Sequence, residues 1–222
     1  MDFSILGLTL QIALVATVIN FPLALVVSWV MVRKEVRGRF VLDLLIMLPL
    51  AVPPVAIGYL LLILLGREGP IGSVLNSLLG IDLVFTWIAA ALASAVVSFP
   101  LMTRAIMVAI GDVDPRLELS ARSLGAGPLR AILTVTIPLA YRGILAGVLL
   151  SFVRALSEFG ATIVVAGNMQ GQSRTLSVAM FSSIQTGKDA DAIKFAVVAI
   201  ALAVATILTH NWLLERTRYD RN

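Results

Sequence analysis

The chain has 222 residues, 59% of them hydrophobic and only 14% charged, with a formal net charge of +4 and a mean hydropathy of +0.98. Soluble domains carry roughly 25% charged residues, so this balance marks an integral membrane protein. The absence of cysteine excludes a disulfide framework, a thiolate metal site and a cysteine nucleophile, and the basic residues are too dispersed between apolar stretches to form a nucleic-acid patch.

Five apolar stretches, at about residues 6–32, 40–65, 83–110, 143–166 and 193–214, meet the need of roughly 20 residues per spanning helix. They predict an all-α bundle of five spans within a single transmembrane domain over residues 1–222. The first stretch is preceded by Asp2 rather than a basic residue. It is too long for a signal-peptide core and lacks a small-x-small cleavage site, so it reads as a retained span. Within it Asn20, Phe21 and Pro22 predict a kink or an irregular turn.

Arg33, Lys34, Arg37 and Arg39 follow span 1, while Arg116, Arg122, Arg130 and Arg142 follow span 3, and Arg216, Arg218 and Arg221 follow span 5. By the positive-inside rule these regions are cytoplasmic, and the opposite loops carry only Arg67, Arg174 and Lys188. An odd number of spans then puts the N-terminus outside and the C-terminus in the cytoplasm.

Span 2 carries Pro49, Pro53 and Pro54, with Gly58 one turn later. Prolines at depth free backbone carbonyls that need partners in protein or in a water-lined cavity. Two readings stand: the segment faces a translocation path, or it is a structural kink. Residues 66–82 read as a short external loop with a helical turn near 73–79.

Span 3 holds Ser94, Ser98 and Pro100 and the small residues Ala89, Ala90, Ala91, Ala93 and Ala95, suited to close helix approach in lipid. Span 4 holds Arg154 and Glu158, the one evident ion pair at depth. The pair faces a path or gate, near Ser157, or it locks spans together. Residues 167–191 form a second external surface with an amphipathic run at 175–184. Span 5 ends near His210 and Trp212, and a lone histidine there reads as an interfacial side chain rather than a proton relay.

The polar segment 112–142 shows internal design. Asp114 and Pro115 form a helix start. Leu117, Ala121 and Leu124 recur on one face, Glu118 and Arg122 are spaced to pair at i, i+4, and Gly125 supplies the stop. Gly127 and Pro128 restart a second helix, and Pro138 marks the entry to span 4. A rigid helix–corner–helix at a membrane surface suits docking into a partner's groove; the competing reading is a helix lying on lipid.

The pattern Leu119, Ser120, Ala121, then Gly125, then Val135, Ile137 and Pro138 resembles the EAA loop of ABC-importer permeases. That loop pairs E-A-A, a glycine four residues after the second alanine, and a distal I-x-L-P. Here leucine stands at the acidic position, with Glu118 just before it. The resemblance extends over most of the chain and is narrowest to molybdate-type permeases, with sulfate permeases close. It rests on Leu48 to Leu50, Pro53 to Tyr59, Ser98 to Met102, Arg154 to Thr162, and Arg174 to Leu176 with Ile184 to Thr186.

The resemblance implies a type I ABC-importer permease with a cytoplasmic coupling helix. Its ATPase-coupling residues would be Leu117, Glu118, Leu119, Ser120, Ala121, Arg122, Leu124, Gly125, Ala126 and Pro138. Pro53, Pro54, Ser98, Pro100, Arg154, Ser157 and Glu158 would lie on the translocation path or gate.

It further implies a second copy of the chain, two cytoplasmic ATPase subunits, an external substrate-binding protein and molybdate or a similar oxyanion as cargo, in a lipid bilayer. The chain would be non-catalytic and hold no cofactor of its own, with ATP and magnesium bound by the partner ATPase. Consistently, the sequence has no G-x-x-x-x-G-K-[ST] phosphate loop. An ion-coupled secondary transporter would show several intramembrane acids, and beyond Glu158 the spans offer essentially none. An intramembrane protease would need a nucleophile beside a base at depth.

Overall fold

The computed structural model describes residues 3–219, with side chains described for residues 4–209. Expectations placed on Asp2, His210, Trp212, Arg216, Arg218 and Arg221 fall outside the described side chains. Among the described residues every regular element is helical. The helices are α1 (Phe3–Arg33), α2 (Arg39–Ala51), α3 (Pro54–Leu65), α4 (Gly72–Leu79), α5 (Trp87–Gly111), α6 (Pro115–Ser123), α7 (Pro128–Ala131), α8 (Ile137–Leu156), α9 (Gly160–Val165), α10 (Leu176–Gln185) and α11 (Asp189–Tyr219), with a π-turn at Ile132–Thr136 between α7 and α8.

Helix α5 is the centre of the bundle. Its alanines at 89, 90, 91, 93 and 95 are all buried, because residues without side-chain bulk let neighbouring backbones come close where hydrophobic burial cannot drive association. Gly143 and Gly147 of α8 use the same device: a Cβ on Gly143 would sit 2.4 Å from Ala109 Cβ, and one on Gly147 would sit 3.0 Å from Ala105 Cβ.

Helices α1 and α5 run parallel. Ile12 packs near Ala89, and Ala24 packs near Met102 and Ile106. Asn20 Nδ2 donates to Ala95 O at 2.9 Å, Ser28 Oγ to Thr103 O at 2.9 Å and Arg33 Nη2 to Val113 O at 2.7 Å. Helix α8 runs the opposite way, with Ala140 and Ile144 beside Ala24 and Ala155 and Leu156 beside Ala13 and Ala16. The start of α11 packs on Ile5 and Leu176 through Phe195 and Val198, so α11 is parallel to α1.

This arrangement decides the span count. Among the described residues, four helices are individually long and apolar enough to cross a membrane, and α2 with α3 form a fifth unit bent by 108°. Since α1 and α5 run the same way, the chain must return across the bilayer between them. Only α2 and α3 bridge that distance: Asp43 of α2 pairs with Arg104 near the end of α5 at 3.0 Å, and Leu65 at the end of α3 packs with Ala89 and Ala90. The bent pair is therefore the second of five crossings.

Span 2 is broken where its prolines lie, because Pro53 and Pro54 remove two successive amide donors and the chain bends there. Elsewhere the structure refines the sequence expectations. The helix that carries span 4 begins at Pro128, ahead of residue 143, and its first part ends at Leu156; residues 157–159 break the span and α9 follows. Helix α1 stays helical through Pro22, which removes the irregular turn, though not a kink, from the expectation. Arg154 and Glu158 form the more buried pair, while Asp43 and Arg104 form an exposed one between α2 and α5. Outside the bundle, Ser73 to Leu79 form part of α4 and Leu176 to Gln185 form α10, capped by Thr175.

At the loop end, Arg67 Nε donates to both carboxylate oxygens of Asp82 at 3.0 Å. Hydrogen bonding to Arg67 holds the Asp82 carboxyl below its usual range. A lowered folded value gives stabilisation that is present above the unfolded value of about 3.9 and lost as pH falls through the folded one. The tie closing this loop is therefore intact at neutral pH.

Where α3 meets α9, a helix comes close to its neighbour's backbone. A Cβ on Gly58 would lie 2.5 Å from Ala161 O and 2.8 Å from Ala161 Cα, whereas one on Gly111 would meet nothing within 4 Å. Gly58→Ala should therefore destabilise the detergent-solubilised protein by about 1–3 kcal/mol through overpacking, while Gly111→Ala should be neutral or stabilising. Thermal unfolding of the two variants against wild type checks this.

Candidate functional site: a helical arm and two facing breaks

At the arginine-rich end of the bundle, α6 is built by local chemistry. Asp114 accepts from Arg116 N at 2.9 Å and Pro115 occupies the first turn, satisfying a free amide where proline costs no hydrogen bond. The helix ends in a Schellman arrangement: Ala126 N donates to Ala121 O and Gly125 N to Arg122 O, both at 3.0 Å, with Gly125 at φ 92°. That left-handed conformation is the reason for glycine at this position.

The apolar face of this arm is turned outward. Leu117 is 46% exposed, Leu119 57% and Leu124 90%, with Leu129 and Leu133 also exposed, and α6 has no buried side chain. Burying each leucine would contribute roughly 1.5–3 kcal/mol, so the arm presents an apolar face that its own chain does not cover. Ala121 and Ala126 are half-buried beneath it, while Ser120 and Arg122 are exposed; Ser120 Oγ bonds back to Arg116 O.

Glu118 does not pair with Arg122. Its Oε1 accepts from Arg33 Nε at 2.8 Å and from Thr136 Oγ1 at 2.7 Å, because its side chain points under the arm rather than along it. Pro138 is exposed in the first turn of α8. The π-turn before it, in which Ile137 N reaches Ile132 O, accommodates a residue that can donate no backbone hydrogen bond.

The second candidate region lies at depth, where two broken helices face each other. A Cβ on Gly160 would touch Pro54 Cβ at 3.0 Å and Val55 N at 3.3 Å, so the break at 157–159 packs against the break at 52–53. Irregular backbone at membrane depth persists only inside protein or along a water-filled cavity. Pro53 and Ser157 are exposed at this junction and Pro54 is half-buried.

Glu158 is buried at the break. Its Oε2 meets Arg154 Nη1 at 2.7 Å while Oε1 accepts from Ala161 N at 2.8 Å. The carboxylate thus caps α9 and ties it back to α8, which makes the pair a lock across the break. Ser98 and Pro100 are also buried. Ser98 Oγ accepts from Asn20 Nδ2 at 3.1 Å and donates to Ser94 O at 2.7 Å, so Ser98 joins α1 to α5, and neither Ser98 nor Pro100 lines an open surface of this chain.

Sequence reasoning missed Arg33, Thr136 and Asn20 as partners in these networks. Only Asn20 carried a signal, as an amide in an apolar run. Among the described residues no cluster of histidines, cysteines or carboxylates suited to a metal ion occurs.

A five-crossing helical bundle with a projecting, apolar-faced arm is the type I ABC-importer permease fold. The structure resembles that of a bacterial ABC transporter involved in the import of the acidic polysaccharide alginate, with a TM-score of 0.74 at 16% identity, covering 96% of this chain and 79% of that one. It also resembles the MetNI methionine ABC transporter, with a TM-score of 0.68 at 13% identity, covering 96% and 93%.

The chain belongs to the family described as "Binding-protein-dependent transport system inner membrane component", which matches residues 20–212, and so is a multi-pass inner-membrane permease. It is 43% identical over 95% of its length to the molybdenum transport system permease protein ModB of Escherichia coli (strain K12), covering 93% of that protein. It is 42% identical to the ModB of Haemophilus influenzae, covering 97% of this chain and 95% of that one. A probable sulfate transport system permease protein of Nephroselmis olivacea is 33% identical, covering 96% and 74%.

Because Glu158 has two partners, its replacements should separate them. Glu158→Gln keeps an acceptor for Ala161 N but leaves Arg154 unpaired; Glu158→Leu removes both. Thermal unfolding should rank wild type above Gln and Gln above Leu, with the full loss approaching about 3 kcal/mol, the lower end for breaking a buried pair because Arg154 keeps some solvent.

Proposed function

We propose that this chain is the pore-forming permease subunit of an ATP-driven importer for molybdate. The observation that carries the reading is the 43% identity to a molybdenum permease across 95% of the chain. The weaker 33% identity to a sulfate permease ranks sulfate behind it, and tungstate, with the same charge and nearly the same size, is the closest competing cargo.

In this reading residues 1–222 act as one permease domain and two copies enclose the pore. Two cytoplasmic ATPase subunits bind ATP and magnesium and grip the arms, and an external binding protein delivers the oxyanion. The exposed leucines of α6 support the grip, and with them Leu117, Glu118, Leu119, Ser120, Ala121, Arg122, Leu124, Gly125, Ala126 and Pro138 form the coupling segment. The arm, the end of α1 and the end of α11 share one side of the bundle. The arginines there support a cytoplasmic assignment, with the N-terminus outside.

Transport follows alternating access. Nucleotide-driven closure of the ATPases moves the arms together, and the bundles rock between inward-open and outward-open states. The path runs past the facing breaks, where Pro53, Pro54, Ser157 and the rim of Arg154 are accessible. A doubly charged oxyanion passes there hydrated, with selectivity held mainly by the binding protein.

Copurifying the chain with its ATPase and binding protein, then measuring ATP-dependent uptake of molybdate, tungstate and sulfate into vesicles, tests the proposal. Uptake that persists without the ATPase would overturn it. Leu124→Asp and Gly125→Pro should each reduce ATPase copurification by more than about tenfold, a loss of about 1.4 kcal/mol or more, while membrane insertion stays intact.

A further inference from the structure

One carboxylate oxygen joins four parts of the chain. Glu118 Oε1, in α6, accepts from Arg33 Nε at 2.8 Å and from Thr136 Oγ1 at 2.7 Å. The same guanidinium donates through Nη2 to Val113 O at 2.7 Å. Arg33 closes α1, Val113 follows α5, and Thr136 ends the π-turn that leads into α8. The side chains of Arg33 and Glu118 are only 10% and 15% exposed, and Thr136 is fully buried.

The rest of α6 is held weakly. It contributes no side chain to any apolar core, and its neighbours within the chain are mainly α7 and the π-turn. No fully buried apolar side chain of its own therefore fixes the angle at which its leucines face outward. A helix of nine residues is also too short to be stable by propensity alone. The charged, hydrogen-bonded cluster is the element that sets its position, and hydrogen bonds to ionised groups in a partly desolvated site are the stronger kind.

We infer that Glu118 is a positioning residue. It acts through Arg33 and Thr136 to lock the arm to α1, α5 and α8, so that force applied at the leucine face moves those three helices together. This rests on the reading of α6 as the docking arm and adds what that reading lacks, a link from the arm to the bundle. Arg122, Leu119 and Leu124 touch the partner in this view, while Glu118 does not.

The absence of cysteine makes a direct test available. A spin label placed through Ser123→Cys, on the exposed side of α6, reports the arm's mobility in the full chain assembled with its ATPase and binding protein. Glu118→Gln and, separately, Thr136→Val should raise that mobility. Each should lower the molybdate imported per ATP hydrolysed by about an order of magnitude, within the range typical of coupling between sites, with ATPase copurification retained. Arg33→Lys, which keeps the charge but loses the second donor, should fall between.

Unchanged label mobility in Glu118→Gln and Thr136→Val would overturn the inference, as would raised mobility with an unaltered ratio of import to hydrolysis. So would loss of insertion or ATPase copurification in proportion to the loss of import, because the cluster would then serve folding alone. If wild type itself shows no ATP-dependent import, the importer reading fails, while the label still reports whether Glu118 holds the arm.

Discussion

Backbone amides and carbonyls in lipid must find partners within the protein, and that requirement organises this molecule. Two of its five crossings are interrupted, at 52–53 and at 157–159. Neither interruption faces lipid alone. The two meet each other, with Gly160 against Pro54 and Gly58 against Ala161, and Glu158 supplies an acceptor to an amide that α9 would otherwise leave free. The glycines are there because two irregular backbones can share one place only when no side chain separates them.

The same economy appears along α5. Alanine, serine and glycine at its contacts with α1 and α8 bring backbones together, and Asn20, Ser28 and Ser98 then bond across the short gap. Helix α11, by contrast, is scarcely buried in its own chain, with Ile193, Val197, Ile200 and Val204 facing outward. The bundle is thus tight around α5 and loose at α11.

Features decided by neighbours in sequence were legible. Asp114, Pro115 and Gly125 announced the limits of α6, the alanines of α5 announced close packing, and paired prolines announced trouble in span 2. What escaped was set by distance. Glu118 had Arg122 one turn away, yet its partner is Arg33, 85 residues back, because an exposed i, i+4 pair is worth little beside a partly desolvated site with two donors. The break after Leu156 was hidden, since Ser157, Glu158 and Phe159 include no proline and only Gly160 hints at it. The early start of the helix that carries span 4 was masked by Thr134, Thr136 and Arg142, whose polarity dilutes a run that in fact begins at Pro128.

The π-turn at Ile132–Thr136 amounts to one residue more than an ordinary helix would hold. Elsewhere in this segment, removing a residue would rotate everything beyond it by about 100° and carry Gly143 and Gly147 away from α5. Within the π-turn a deletion can be absorbed by reverting to plain α-helix, leaving both flanking faces in register but withdrawing Thr136 from its place. The chain thus holds a spot where length is tolerant and geometry is not, and natural variation in loop length should respect that difference.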